Sequence, residues 1–511
     1  MKQNLRLVLP LILGILGLIA PKAGAHYITV DGSSADWFSS VASSADLGRI
    51  CRNASGQGEY AWRDASGDER TDFSNPDSGA DITAVRVTGT SSGVAILIAT
   101  TAAPSSNIQA QVAIDLDRVA GSGQNYLAGF ADTLVDNNAR RERLIQTHFA
   151  SGGTAVLLDT NYSTVATLSA ARGTNGFEIF VAWTNLGLAS VPAAPLRFSV
   201  ATFRSAATDQ TLDLGGSTVA NALDVVTTYG DPGTTANTWT EVSDQTINYY
   251  FDVYFQTNAA MPGEVYAPVL VDKFVSSSTT LYEMVAVRNV SPGSIDLGLF
   301  KVGDEETVDG PEGMYRFPTN TSLAANGVFT VAQYGTNYLW RLGYAPDAEF
   351  NATTNTIPDM PRYASWAATG TWGLGNTGDE ILLLDGSDTI VDAIVFGNGT
   401  YSGITAITAP GADQLARRLP ADGDTDDCST DFVNLGALAA PLRILTCAVI
   451  DSLPRLTWQE VACDYTVEMR TNLGTGNWQS VLGTTWPISS CSWTSSVPST
   501  AAQAFYRVKR N

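Results

Sequence analysis

Leu374-Gly375-Asn376-Thr377-Gly378-Asp379-Glu380-Ile381-Leu382-Leu383-Leu384-Asp385, followed by Val391-Asp392-Ala393-Ile394-Val395-Phe396-Gly397, decides how the chain folds. Two apolar runs, Glu380 to Leu384 and Ile390 to Phe396, are bounded by Gly, Asn and Asp, residues that end strands and form turns. They read as a hairpin. The same rhythm recurs upstream at Val269 to Phe274, Tyr282 to Asn289, Ile295 to Val302 and Gly327 to Gln333. Together these make about six strands, a number suited to an immunoglobulin-like sandwich.

Further towards the N-terminus the pattern continues. Asp81 to Thr88 alternates apolar and polar residues, and Val94 to Ala99 is a short apolar run, so the two read as neighbours joined at Ser91-Ser92-Gly93. Val112 to Asp115, Ala155 to Leu158, Phe177 to Trp183, Leu196 to Phe203 and Tyr249 to Phe255 fill out one larger sandwich. The Gly- and Asp-rich stretch from Arg52 to Asp77 reads as a long loop, with Trp62 inside it. The predicted class is all-β, with tandem β-sandwich domains of which the second is immunoglobulin-like.

Lys2 and Arg6, the apolar run Leu7 to Ala20 and Ala23-Gly24-Ala25 make a basic, an apolar and a small-residue segment in the order of a secretory signal. The apolar run is too short for a spanning helix and contains Pro10, so residues 1–25 are expected to be removed. Cleavage takes three of the 29 basic residues and leaves 51 acidic ones in place. That balance argues against a nucleic-acid partner, which needs clustered Lys and Arg. Five cysteines, Cys51, Cys428, Cys447, Cys463 and Cys491, include no C-x-x-C pair. One or two bridges are expected among the last four, with the pairing open and Cys51 left over.

Three resemblances divide the chain. Val30-Asp31-Gly32 with Asp36-Trp37, Val112-Ala113-Ile114-Asp115-Leu116-Asp117 with Gly121-Ser122-Gly123, and Phe177 to Trp183 with Leu186-Gly187-Leu188 make residues 26–262 similar to family 9 carbohydrate-binding modules and DOMON-like domains. That likeness implies a ligand-binding sandwich, with sugar bound on aromatic faces. Glu283 to Asn289 and the segment quoted first make residues 263–400 resemble the lamin tail domain, which bacteria also use in exported proteins. Residues 401–441 look like the extension that trails such domains and are expected to pack back through Leu419 and Phe432. Arg455 to Trp458, Tyr465 to Glu468, Trp478 and Phe505 to Val508 make residues 442–511 similar to a fibronectin type III sandwich.

Candidate chemistry is thin. There are only two histidines, His26 and His148, and no nucleophile-elbow sequence. Cleavage after Ala25 would put His26 at the N-terminus, where amine and imidazole could hold copper as in lytic polysaccharide monooxygenases; with carboxylate-based glycosidase chemistry, this is the remote enzymatic alternative. Acidic loops suit Ca²⁺, a hard cation that takes oxygen ligands. The candidates are Asp115 and Asp117, followed by Gly121 and Gly123, and the set Asp422, Asp424, Asp426 and Asp427. The second set departs from an EF-hand at Asp427 and Val433. Trp37 and Trp62 are the candidate ligand contacts. The expectation is a secreted or cell-surface protein that binds glycan or another extracellular ligand as an adhesion or scaffold module. The alternative is a structural surface-layer or matrix component without a small ligand.

Overall fold

The computed structural model describes residues 26–38, 47–64, 66–70, 75–129, 131–149, 153–206, 211–214, 221–226, 245–258, 260–276, 281–308, 310–437, 444–450, 453–458, 465–471, 478–481, 484, 492–495 and 504–510. Among the described residues strands predominate, helices are short, and no helix is long and apolar enough to cross a membrane. The protein is all-β. It divides into two compact units, Met1–Val41 with Ile50–Tyr266, and Ala42–Arg49 with Ala267–Asn511. The division falls four residues beyond Pro262, and nothing in the sequence marked Ala42–Arg49 as belonging with the second unit.

The first unit is a sandwich. One sheet runs Gly58–Arg63, Ile82–Gly89, Gly93–Thr100, Gly176–Ala182, Thr164–Arg172. The other runs Thr154–Leu158, Arg143–His148, Ile108–Asp115, Leu196–Arg204, with Ala222–Val225 and Phe251–Val253 both pairing with Leu196–Arg204. Thr164–Arg172 pairs with strands of both sheets and carries the chain from one to the other. In the hairpin of Ile82–Gly89 and Gly93–Thr100, Val85 faces Ile98 and Val87 faces Ile96, all four fully buried. β-branched side chains opposite one another pack well on a pleated surface, and each buried one stabilises by about 1.5–3 kcal/mol. Tyr60 stacks on Phe251 at 4.2 Å between ring centroids, and Phe198 lies 5.6 Å from the same ring, so aromatic faces from both sheets meet in the core.

The opening motif is held by one carboxylate. Glu178, buried within Gly176–Ala182, accepts the N–H groups of Asp31 at 3.0 Å and Gly32 at 2.6 Å through Oε2, and the Trp37 indole N–H at 2.7 Å through Oε1. Gly32 has φ +84°, a left-handed turn that glycine adopts without strain. Trp37 then packs with Ile28, Ala95 and Leu97.

The second unit contains an immunoglobulin-like sandwich. One sheet runs Ala348–Glu349, Val328–Ala332, Met284–Asn289, Val269–Val275, Gln414–Arg418, Phe432–Ala437; the other places Ile390–Gly397 beside Gly378–Leu384, then Lys301–Gly303 and Met314–Arg316. The approach to the Gly378–Leu384 hairpin is gripped by buried acids. Asp304 accepts the Gly373 N–H at 2.7 Å, Asp379 accepts that of Gly375 at 2.5 Å, and Glu283 accepts that of Leu374. Burial pushes Glu283 and Asp304 up to about 7 despite these bonds.

Residues 401–441 do more than pack back on this unit, because Gln414–Arg418 and Phe432–Ala437 are strands of its sheet. Phe432 is buried as expected. Leu419 is 49% exposed and does not join the core. Between 303 and 366 the chain adds the strand Met314–Arg316 and the helix Gly335–Leu342. The C-terminal segment forms two three-stranded sheets, Ile444–Ile450, Leu453–Trp458, Ser492–Thr494 and Gln479–Ser480, Tyr465–Arg470, Phe505–Arg510. Cys428 is a free, buried thiol whose pKa burial raises to about 12, so it takes no part in the one or two bridges expected among the last four cysteines. The side chains of Cys447, Cys463 and Cys491 lie outside the described residues.

Candidate functional site

The register of two strands builds the site. Ile114 pairs with Arg143 across Ile108–Asp115 and Arg143–His148, so Asp115 and Glu142 are the next residues outward at one end of the sheet. The Glu142 N–H donates to the Ile114 carbonyl at 3.1 Å. Beyond Asp115 the chain turns sharply through Arg118 (φ +54°), Gly121 (φ +80°) and Gly123 (φ +79°). A bridge between Gln124 and Arg141 returns it beside Glu142.

Asp115, Asp117 and Glu142 each bring a carboxylate oxygen within 4.8 Å of the other two. Asp115 Oδ1 accepts the N–H groups of Asp117 at 3.1 Å and Arg118 at 2.6 Å. Asp117 accepts the Val119 N–H through Oδ1 and the Ser122 hydroxyl through Oδ2, each at 2.8 Å. Glu142 Oε2 accepts the Leu116 N–H at 2.8 Å. Asp115 Oδ2 and Glu142 Oε1 are buried without a hydrogen-bond partner. Leaving such groups unmet is costly, so they point to a ligand the chain itself does not provide. Burial raises the Asp115 carboxyl against the pull of the Arg118 N–H and Arg197; burial and the charges of Asp115 and Asp117 raise Glu142. The nearby guanidinium of Arg197 is engaged with Asp252 at 2.8 and 3.0 Å. Three carboxylates with two unmet oxygens suit Ca²⁺, which takes oxygen ligands from Asp, Glu and backbone carbonyls.

The same strand end carries a cleft. Tyr126, Leu127, Gly129, Asp132 and Tyr162 line a space of about 280 Å³. Tyr126 is 46% and Tyr162 40% exposed. Arg141, fully buried, lies 4.8 Å under the Tyr162 ring and donates to the carbonyls of Tyr126 at 3.0 Å and Asp159 at 3.1 Å. Tyr162 has φ +59°, which costs a bulky L-residue about 1–2 kcal/mol and is imposed by the turn that Asp159 caps. Arg141 and Glu142 are consecutive, so one short segment braces both the cleft and the carboxylate group.

The other expected site residues are placed differently. Trp37 and Trp62, 4% and 0% exposed, are core residues, and neither offers a ring face to a ligand. Asp424 lies 3.6 Å from Arg418, Asp426 lies 3.0 Å from Arg49, and Asp427 caps the short helix Cys428–Asp431 through the Ser429 N–H. Guanidinium groups and backbone N–H groups thus occupy these acids, and with Asp422 they form no metal-binding group among the described residues.

The ring of His26, the candidate for a copper brace, faces oxygen atoms of the chain. Its Nε2 lies 2.7 Å from the Asp36 carbonyl oxygen and its Nδ1 3.1 Å from Glu59 Oε1. Burial works against the charged ring, but Glu59, Asp36 and Glu264 outweigh it and raise its pKa. His148 stands at the end of the strand Arg143–His148.

No family model matches the chain, and no curated protein does. A solved structure of a DUF4876 family protein from Bacteroides thetaiotaomicron is similar at 10% identity and a TM-score of 0.26, over 59% of this chain and 83% of that one. A superposition that loose carries no inference about fold or function.

Proposed function

We propose that the chain is an exported multidomain protein of the bacterial surface or extracellular matrix whose first sandwich binds glycan in the Tyr126/Tyr162 cleft. Ca²⁺ held by Asp115, Asp117 and Glu142 orders the loop beside it, and the immunoglobulin-like and C-terminal sheets space or anchor the binding unit. The observation that carries this is the pair of half-exposed tyrosines on one cleft with Asp132, braced by Arg141 next to a carboxylate group with unmet oxygens. An aromatic face buries the apolar side of a sugar ring while its hydroxyl keeps a polar handle, and a carboxylate takes the sugar's hydroxyl hydrogen bonds.

A glycan array probed with the full chain in Ca²⁺ tests the reading. A retained glycan should lose about tenfold in affinity in Tyr162→Ala, an effect of about 1.4 kcal/mol. Chelation should weaken it as well. No retained glycan, with self-association in the centrifuge, would instead favour the structural layer component.

A further inference from the structure

His26 is held at its ring and at its backbone nitrogen, all by residues of the first unit. The ring stacks on Phe38 with centroids 4.7 Å apart and planes 10° from parallel. Its two nitrogens face the Asp36 carbonyl oxygen and Glu59 Oε1. Glu59, fully buried in the strand Gly58–Arg63, also accepts the Phe38 N–H at 2.9 Å and lies 3.3 Å from Arg86 Nη1. The backbone N–H of His26 donates to Glu264 Oε2 at 2.8 Å.

Glu264 is 1% exposed, and its Oε1 accepts the Gly58 N–H at 2.5 Å. Burial raises its carboxyl, against the pull of the Gly58 and His26 N–H groups and of the charges on Arg52 and His26. Arg52 gives its Nη1 to the carbonyls of Gly56 at 3.3 Å and Val265 at 2.8 Å. As long as a peptide bond joins Ala25 to His26, both N–H groups that reach Glu264 are neutral amides. A buried carboxylate met in this way keeps much of its desolvation cost, and a cation in the place of one amide offsets it.

We propose that Glu264 recognises the α-ammonium group created by cleavage after Ala25, so that removal of the leader completes the first sandwich with an internal ion pair. This rests on the export reading given above. A peptidase that accepts Ala23-Gly24-Ala25 adds one water across the Ala25–His26 bond, leaving a carboxylate on Ala25 and an ammonium on His26. The nitrogen already donates to Glu264 Oε2, and the hold of Phe38, Asp36 and Glu59 on the imidazole keeps it there. The competing countercharge for Glu264 is Arg52.

The test compares the mature chain beginning at His26 with the same chain acetylated on that amine, each with Glu264 and with Glu264→Gln. Acetylation at about pH 6.5 modifies the α-amine before the lysines, keeps the N–H and removes the charge. The free-amine chain should melt several degrees above the acetylated one in the transition of the first unit, and Glu264→Gln should close the gap. Equal midpoints with Glu264 in place, or a gap that Glu264→Gln leaves intact, would overturn the proposal and assign the countercharge to Arg52. If Glu264→Gln does not fold, the free and acetylated wild-type chains still decide. The intact mass of the exported chain separates this proposal from the reading beneath it. A start at His26 supports both; an exported chain that starts elsewhere would overturn the proposal alone, and a chain that keeps residues 1–25 inside the cell would overturn both.

Discussion

Asp115 to Gly123 and Asp422 to Asp427 look alike in sequence, each an acidic turn with glycine, and end in opposite chemistry. In the second, Arg418 is fully buried and reaches Asp392 with two bonds of 2.7 and 2.9 Å, the Val271 carbonyl at 2.9 Å and the Gly423 carbonyl at 2.8 Å. Asp424 and Asp431 lie 3.6 and 3.7 Å away. In the first, Arg197 is committed to Asp252 and two carboxylate oxygens remain unmet. In the second loop guanidinium groups meet the acids, while beside the first the guanidinium is engaged elsewhere.

The largest break in that comparison is Arg418→Met. It would leave Asp392, Asp424 and Asp431 buried without their cation, and is expected to cost about 3–5 kcal/mol in urea denaturation. A loss below about 1 kcal/mol would mean that the guanidinium does not hold the loop. Next in size is removal of Ca²⁺ with EDTA. At Ca²⁺ about 100 to 1,000 times Kd, bound ion contributes about 2.7–4.1 kcal/mol, and Asp117→Asn/Glu142→Gln should lose the share that belongs to its site. This contribution should also grow with pH. The raised Asp115 and Glu142 hold protons in the ion-free fold that the unfolded chain has already released, so ion-free stability falls as pH rises through their raised range. Ca²⁺ replaces those protons, and a Ca²⁺ increment that shrinks with rising pH would contradict the site.

Gly123→Ala should cost about 1–3 kcal/mol and weaken Ca²⁺ binding. The residue has φ +79°, and a Cβ there would sit 2.5 Å from Glu142 Oε1 and 2.7 Å from the Arg141 carbonyl oxygen. Asp427→Ala should cost about 0.5–2 kcal/mol through the lost helix cap and leave Ca²⁺ titration unchanged. Smallest is Asp422→Asn, expected within about 0.5 kcal/mol of wild type with the same ion count.

Strand pairs were legible where alternation or a short apolar run is bounded by turn residues, as in Ile82–Gly89 with Gly93–Thr100 and Gly378–Leu384 with Ile390–Gly397. The helix Gly335–Leu342 was not, since it begins at glycine with no side-chain cap and lies in a stretch without strand rhythm. Two of the three carboxylates were visible, as Asp115 and Asp117. Glu142 was hidden in Arg140-Arg141-Glu142-Arg143, which reads as a solvated charge run until strand register sets it beside Asp115. Trp37 and Trp62 misled because aromatic residues near turns suggest ligand contacts, while a buried carboxylate, Glu178, draws the Trp37 indole inward. Tyr126 and Tyr162 had no signal of their own; a cleft between residues 36 positions apart exists only once the sheet has formed.

The most direct measurement is the thermal melt of the full chain in Ca²⁺ and in EDTA, for the wild type, Asp117→Asn/Glu142→Gln and Asp424→Asn/Asp426→Asn. Ca²⁺ should raise the wild-type midpoint by several degrees, less in the first variant, and by the full wild-type amount in the second. A Ca²⁺ shift unchanged in Asp117→Asn/Glu142→Gln and lost in Asp424→Asn/Asp426→Asn would place the ion on the wrong loop and contradict the claim.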